Sequence, residues 1–282
     1  MQKQRYIATK NDHNRKILKF IQSIYANTPM SKIYRTFRQG DIKVNNKRVK
    51  DFNYIIQPND IIEVYGISTL VEAIPYSSST KLQADIIYED NNILIVNKPN
   101  NIAVHSEANC LDEQVLSYLN VEFENAFKPS HVGRLDKATS GLMLYAKNYS
   151  SLVQLNKKQH SFTKQYIFIP ECDIKPNIYE FYIEKDEVNK RMKTTQKSVF
   201  SQKSITKIEY INNTYYATLL TGKKHQIRLC CATLNAPIKG DVKYGAKRDK
   251  RLYLHSYLLK FDSLEADLEY LNNKEFRSLP NW

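Results

Sequence analysis

Glycine is scarce in this chain, at 7 of 282 residues, and there are only four cysteines and one tryptophan. Cys110, Cys172, Cys230 and Cys231 form no C-x-x-C pair, and adjacent Cys230–Cys231 could not together close an ordinary zinc site. So few thiols exclude a disulfide-built scaffold and fit a reducing compartment. No uninterrupted apolar run approaches the length of a membrane span. The opening residues, Met1-Gln-Lys-Gln-Arg-Tyr, carry no apolar stretch behind their charges, which argues against a secretion signal. These absences set the first expectations: a soluble cytoplasmic protein with no membrane span and no metal-binding cluster.

Acid is in deficit too. The chain has 42 Lys/Arg against 29 Asp/Glu, a formal charge of +13. Such an excess implies a polyanionic partner, nucleic acid first and an anionic membrane surface second. The excess is uneven, because residues 1–66 hold 13 Lys/Arg against 5 Asp/Glu, a net +8.

That basic front segment reads as a small domain of its own. Ile17, Ile21, Ile24 and Tyr25 recur at helical spacing over residues 15–26. Ser31 is placed to cap a second helix that buries Ile33, Tyr34 and Phe37 and stops at Gly40. Lys32, Arg35 and Arg38 fall on its other side. Ile42 to Val49 reads as a hairpin turning at Asn45-Asn46, which puts Lys43, Lys47 and Arg48 on it. After the turn Pro58-Asn59-Asp60 comes a strand, Ile61–Tyr65. Residues 1–66 are thus expected to form an ααβ-type domain. The Pro- and Ser-bearing stretch 67–83 is expected to be a linker.

Residues 84–282 are expected to form a larger domain. Ile86–Tyr88 and Ile93–Val96 suggest a hairpin. Further strands are expected at Leu142–Ala146, Tyr166–Ile169, Tyr215–Leu220 and Leu252–Phe261, with helices at Ser151–Lys158 and His225–Leu234. Strands outnumber helices without strict βαβ alternation, which points to an α+β fold with a largely antiparallel sheet.

Three segments carry chemistry. In His131-Val-Gly-Arg-Leu-Asp136-Lys-Ala-Thr-Ser-Gly141, a turn-rich stretch runs into an alternating strand, displaying a carboxylate on a rigidly held loop. On the residues alone, an Asx-turn with Arg134 as a solvated charge explains it at least as well, because most loop aspartates are structural. In Thr221-Gly-Lys-Lys-His-Gln-Ile-Arg228, amides and cations converge where a strand gives way to a helix. This suits a phosphate or a catalytic carboxylate, or equally a plain basic turn. In Lys164-Gln-Tyr166, a strand tyrosine is ordinary packing or a ring on which an extruded base stacks.

Taken together and in this order, the three segments resemble the RluA-type pseudouridine synthases. Arg134-Leu135-Asp136 followed by Thr139-Ser140-Gly141-Leu142 is similar to that family's active-site signature. Lys164-x-Tyr166 resembles its tyrosine strand, and Thr221-Gly222 with His225-Gln226-Ile227-Arg228 resembles its later arginine motif. Lys98-Pro99, Val104-His105, Pro237-Ile238, Gly240-Asp241, Tyr244-Gly245 and Leu254-His255 extend the likeness over roughly 84–262. The front segment resembles an S4 RNA-binding domain. Three positions depart from the pattern: Gly133 where His is usual, Ala138 where an acid is common, and Asn101 where Gly is usual. Asn accepts left-handed backbone, so the last change is mild.

The resemblance implies an isomerase that converts uridine to pseudouridine in structured RNA, 23S-type ribosomal RNA or its precursor first among substrates. The enzyme would act as a monomer and need no cofactor. It implies Asp136 as the catalyst, attacking C1′ or removing the C2′ proton. Tyr166 would stack on the uracil and take the C5 proton, and Arg228 would hold the carboxylate ionised and oriented. Arg134 would fill the vacated stack or grip a phosphate. Lys32, Arg35, Arg38, Lys43, Lys47 and Arg48 would contact the RNA backbone. Two rival readings remain at this level. A non-enzymic RNA-binding or ribosome-assembly factor would have lost Asp136, Tyr166 or Arg228, and a glycosidase would need a second well-placed acid.

Overall fold

A computed structural model of the chain describes residues 3–25, 27–67, 80–120 and 127–282. Apart from its ends, the linker expected over 67–83 lies outside the described residues.

The front segment folds around a core of Ile17, Phe20, Ile21, Ile33, Phe37, Ile42, Ile62 and Val64. Helix α1 (Ile17–Ile24) and α2 (Met30–Gln39) supply five of these eight. Burying each such side chain stabilises the fold by roughly 1.5–3 kcal/mol. The other three come from a four-stranded sheet in the order β1-β4-β2-β3, with β1 Lys3–Ile7, β2 Ile42–Val44, β3 Lys47–Arg48 and β4 Ile61–Tyr65. The hairpin turn takes positive φ at both Asn45 and Asn46, as expected. Two readings need correction. Ser31 does not cap α2: the helix begins two residues earlier than that cap would set, with Pro29 at the cap, because proline's fixed φ already suits a helix start. The ααβ pattern also omits β1, whose alternating polar residues pair with β4 along one edge.

The body is built on an eleven-stranded sheet, antiparallel at every pairing but one. Its path runs β11-β10-β12-β13-β9-β14-β8-β6-β5. These strands are β5 Asp85–Glu89, β6 Ile93–Lys98, β8 Ser140–Ala146, β9 Thr163–Phe168, β10 Asn177–Asp186, β11 Arg191–Thr195, β12 Gln202–Ile211, β13 Thr214–Leu219 and β14 Leu254–Lys260. Two short strands join from the side, β7 Ser130–Val132 on β8 and β15 Glu275–Arg277 on β14. The α+β reading therefore holds.

Alternation along β6 and β8 divides the packing. Ile93, Ile95, Leu142 and Leu144 join Leu155 of α4 (Tyr149–Lys158), whereas Leu94, Val96, Met143 and Tyr145 join Leu111 and Val115 of α3 (Leu111–Tyr118). Residues of β8 are therefore buried on both faces, which makes it a rigid base for the loop that precedes it. Helix α5 (Gln226–Thr233) packs Ile227, Cys230 and Cys231 against Phe168, Ala217 and Leu254 at the other half of the sheet. Among the described residues, no helix is long and apolar enough to cross a membrane.

Candidate active site

The loop between β7 and β8 carries Arg134, Leu135 and Asp136. It closes by a turn in which the Thr139 amide donates to the Asp136 carbonyl at 3.0 Å. At the loop's exit, Gly141 has φ +111 and lies against β14, where a Cβ would sit 2.3 Å from the Ser256 carbonyl oxygen. Only glycine permits this close parallel pairing of β8 with β14.

Buried beneath the loop, Lys98 donates from Nζ to the carbonyls of Pro99, Ile102 and Lys137, at 2.8, 2.9 and 3.1 Å. It straps the 99–102 turn, where Asn101 takes φ +61, to the residue after Asp136. Burial pushes the Lys98 ammonium down to about 7, with the Asp136 charge opposing that fall.

Arg228, on the first turn of α5, meets Asp136. Its Nη1 donates to Asp136 Oδ2 at 2.8 Å, while Nε and Nη2 grip the Asp241 carboxylate at 2.7 Å each. Asp241 and Arg228 are both buried. The preceding Gly240 (φ +79) passes so near Arg251 that a Cβ would meet its carbonyl oxygen at 1.9 Å. Burial alone would lower the guanidinium's pKa, but the two carboxylates outweigh it and raise it, so Arg228 is a permanent cation.

His225 supplies the next wall. It caps α5 in the left-handed region (φ 54) and brings Nε2 to 3.6 Å from Asp136 Oδ2, too far for a hydrogen bond. Burial lowers its ring to about 4, so it stands neutral near pH 7. The Tyr244 hydroxyl accepts the Met192 amide at 3.0 Å and lies 2.9 Å from His225 Nδ1. In the tautomer where Nδ1 accepts the Tyr244 proton, the Nε2 proton faces Asp136. Among these groups Arg228 alone brings a full positive charge to the carboxylate.

Tyr166 lines the same cleft as Asp136, together with Arg134, Lys164, Lys223 and Lys224. The cleft volume is about 810 Å³, open to solvent and walled mostly by polar and cationic groups. Burial pushes the Tyr166 phenol up to about 12, and its hydroxyl meets the side chain of Ser256. Near neutral pH it is therefore protonated, a donor with a ring face rather than a ready base.

The three residues expected at the centre, Asp136, Tyr166 and Arg228, thus converge on one site. Arg134 is exposed at the cleft's edge. Lys32, Arg35, Arg38, Lys47 and Arg48 are exposed on α2 and the β2–β3 hairpin. Lys43 is half-buried, its ammonium 5.3 Å from the Tyr65 ring centroid. Asp241 and His225 were visible only as parts of motifs. The signals for them were available: a glycine-flanked acid, and a histidine three residues before an arginine at a helix start. The second acid that a glycosidase would need is present as Asp241, but it is sealed behind Arg228 and faces no cleft.

Comparison with known proteins agrees with this geometry. A family model described as RNA pseudouridylate synthase matches residues 92–233. The chain belongs to the RNA pseudouridine synthase family, isomerases that convert uridine to pseudouridine in RNA. It is 40% identical to an uncharacterized RNA pseudouridine synthase of Mycoplasma capricolum, over 99% of this chain and 98% of that one. It is 31% identical to the ribosomal large subunit pseudouridine synthase C of Buchnera aphidicola, over 86% and 84% of the two chains. The fold also matches human RNA pseudouridylate synthase domain containing 4, with a TM-score of 0.55 at 20% identity, over 70% of this chain and 88% of that one.

Proposed function

We propose that this chain isomerises uridine in large-subunit ribosomal RNA, with Asp136 as the catalytic carboxylate. The observation that carries the reading is the 2.8 Å contact between Asp136 and a guanidinium that Asp241 already holds from behind. A carboxylate oriented by a fixed cation, at the edge of a cleft large enough for a nucleoside, is poised before any substrate arrives. Relatives named as ribosomal large subunit pseudouridine synthase C favour the same class of RNA.

The isomerisation breaks a C–N glycosidic bond and makes a C–C bond within one nucleotide. Atoms balance without an imported group or an oxidant, so the residues described here suffice. Asp136 attacks C1′ or removes the C2′ proton, and both roles need its charged form facing the cleft. A target base must first leave its stack, at a cost of a few kcal/mol. Tyr166 offsets part of this by stacking, worth roughly 1–3 kcal/mol per base. Its raised pKa argues against the phenol as the acceptor of the C5 proton.

In this reading residues 1–66 are an S4-type RNA-binding domain, residues 67–83 a linker and 84–282 the catalytic domain. The front segment's separate sheet and core support the division. Lys32, Arg35, Arg38, Lys43, Lys47 and Arg48 supply backbone affinity, and Arg134, with Lys223 and Lys224, grips the strand at the cleft. Asp136, Tyr166 and Arg228 all come from one chain, which favours an enzyme working as a monomer.

The test is tritium release from C5-labelled uridine in transcribed large-subunit ribosomal RNA. Release is expected from that RNA and not from a transfer RNA pool. Silence on every cellular RNA fraction would return the chain to the non-enzymic RNA-binding reading.

A further inference from the structure

One wall of the cleft is built from groups that the chemistry above leaves unused. The His105 and His131 rings stack, 9° from parallel with centroids 5.6 Å apart. His131 Nδ1 lies 3.0 Å from the Asp112 carboxylate, which also accepts the phenol of Tyr145, a fully buried core residue of β8, at 2.8 Å. Asp112 stands in the first turn of α3. There the Leu111 and Asp112 amides donate to the carbonyls of Ala103 and Val104, the two residues that precede His105. The same backbone knot therefore fixes both ends of the stack.

At the outer end, Arg134 Nη1 donates to His105 Nε2 at 2.9 Å. This is an unusual mooring for an exposed arginine. A carboxylate would hold the guanidinium more strongly, but it would cancel the charge that attracts phosphate. An imidazole accepting through an unprotonated nitrogen leaves the full positive charge outward. It also restricts a side chain that would otherwise surrender much rotamer freedom on binding.

We propose that His105 is the positioning residue for Arg134, holding its guanidinium at the cleft mouth ready to enter an RNA strand beside the target uridine. The hydrogen-bonded chain Tyr145–Asp112–His131, with the His131 ring stacked on His105, keeps His105 in place. The inference rests on the reading that the cleft receives an extruded uridine, and it names how the neighbouring strand is met.

A double-mutant cycle in the full-length chain tests it. The proteins are wild type, His105→Ala, Arg134→Ala and the double variant, with His105→Gln added. The probe is transcribed large-subunit ribosomal RNA carrying C5-tritiated uridine, read by filter retention and by tritium release. His105→Ala is expected to weaken RNA binding roughly tenfold and to raise KM more than it lowers kcat. His105→Gln, which restores an acceptor, should recover most of the loss. In the Arg134→Ala background, removing His105 should add nothing. Equal losses in both backgrounds, or unaltered binding by His105→Ala, would overturn the assignment. A wild-type chain that binds this RNA but releases no tritium counts against the isomerase reading, while the binding cycle still decides the part of His105.

Discussion

Arg228 reaches Asp136 with one terminal nitrogen while its other two nitrogens are committed to the buried Asp241. The guanidinium is thus a planar bridge between a sealed carboxylate and an open one. Lysine offers a charge but not that fork, so it cannot hold both partners in fixed geometry. Arg228→Lys is expected to lower single-turnover tritium release by about a hundredfold, the usual scale for a misplaced catalytic group. A lysine variant within a few-fold of wild type would show that the bridge is dispensable.

Asp136→Asn keeps the shape and removes the charge. Turnover should vanish, while filter retention of ribosomal RNA stays within about twofold, because the lost group acts in the reaction rather than in ground-state binding. Measurable isomerisation by this variant would end the assignment.

For Tyr166 the ring and the hydroxyl make separate predictions. Burial already pushes the phenol up to about 12, so its ring is expected to matter more than its proton. Tyr166→Phe should keep KM near wild type, whereas Tyr166→Ala should raise it by roughly ten- to a hundredfold through lost stacking. If the two variants bind RNA alike, the base does not rest on this ring.

Acid should loosen the body through His255. Its ring is buried, with Nδ1 2.8 Å from the Ser140 hydroxyl and Nε2 donating to the Ser278 carbonyl at 3.0 Å, and burial lowers it to about 4. An unfolded chain binds this proton near pH 6.5. Between about 6.5 and 4 the unfolded state therefore holds more protons, and stability falls as pH falls, with no change from this ring above 6.5. Its share is about 1–3 kcal/mol, an order-of-magnitude figure. His255→Gln should be less stable at pH 7.5 but show a flatter Tm profile down to pH 4.5. Parallel profiles for the two proteins would exclude the histidine.

Salt reads the front segment. Lys32, Arg35 and Arg38 are exposed at helical spacing on α2. Replacing all three by alanine should weaken ribosomal RNA binding and reduce the slope of log K against log salt by about two to three. An unchanged slope would remove α2 from the interface.

Much of the site was legible in the residues. A loop aspartate feeding a buried strand, a tyrosine in a β-run and an arginine at a helix start have local signatures, and each element formed within a few residues of its expected place. The misses share a cause. Strands β10, β11 and β12 carry charged residues at many positions and face solvent widely, so their apolar period is faint. Helix α3, short and weakly amphipathic, gives an equally faint period; it is held by the carbonyls of Ala103 and Val104 and by packing on β6 and β8.

By itself the sequence determined which groups exist and how each short stretch bends: the charge of the front segment, the glycines at Gly141 and Gly240, and the order of the motifs. Only the tertiary structure decided which of them meet. Asp136, Arg228 and Asp241 lie on three separate segments, and nothing local says that Asp241 is sealed while Asp136 is open. That division comes from the sheet, because the packing of α5 against β9 and β13 desolvates one carboxylate and leaves the other at the cleft.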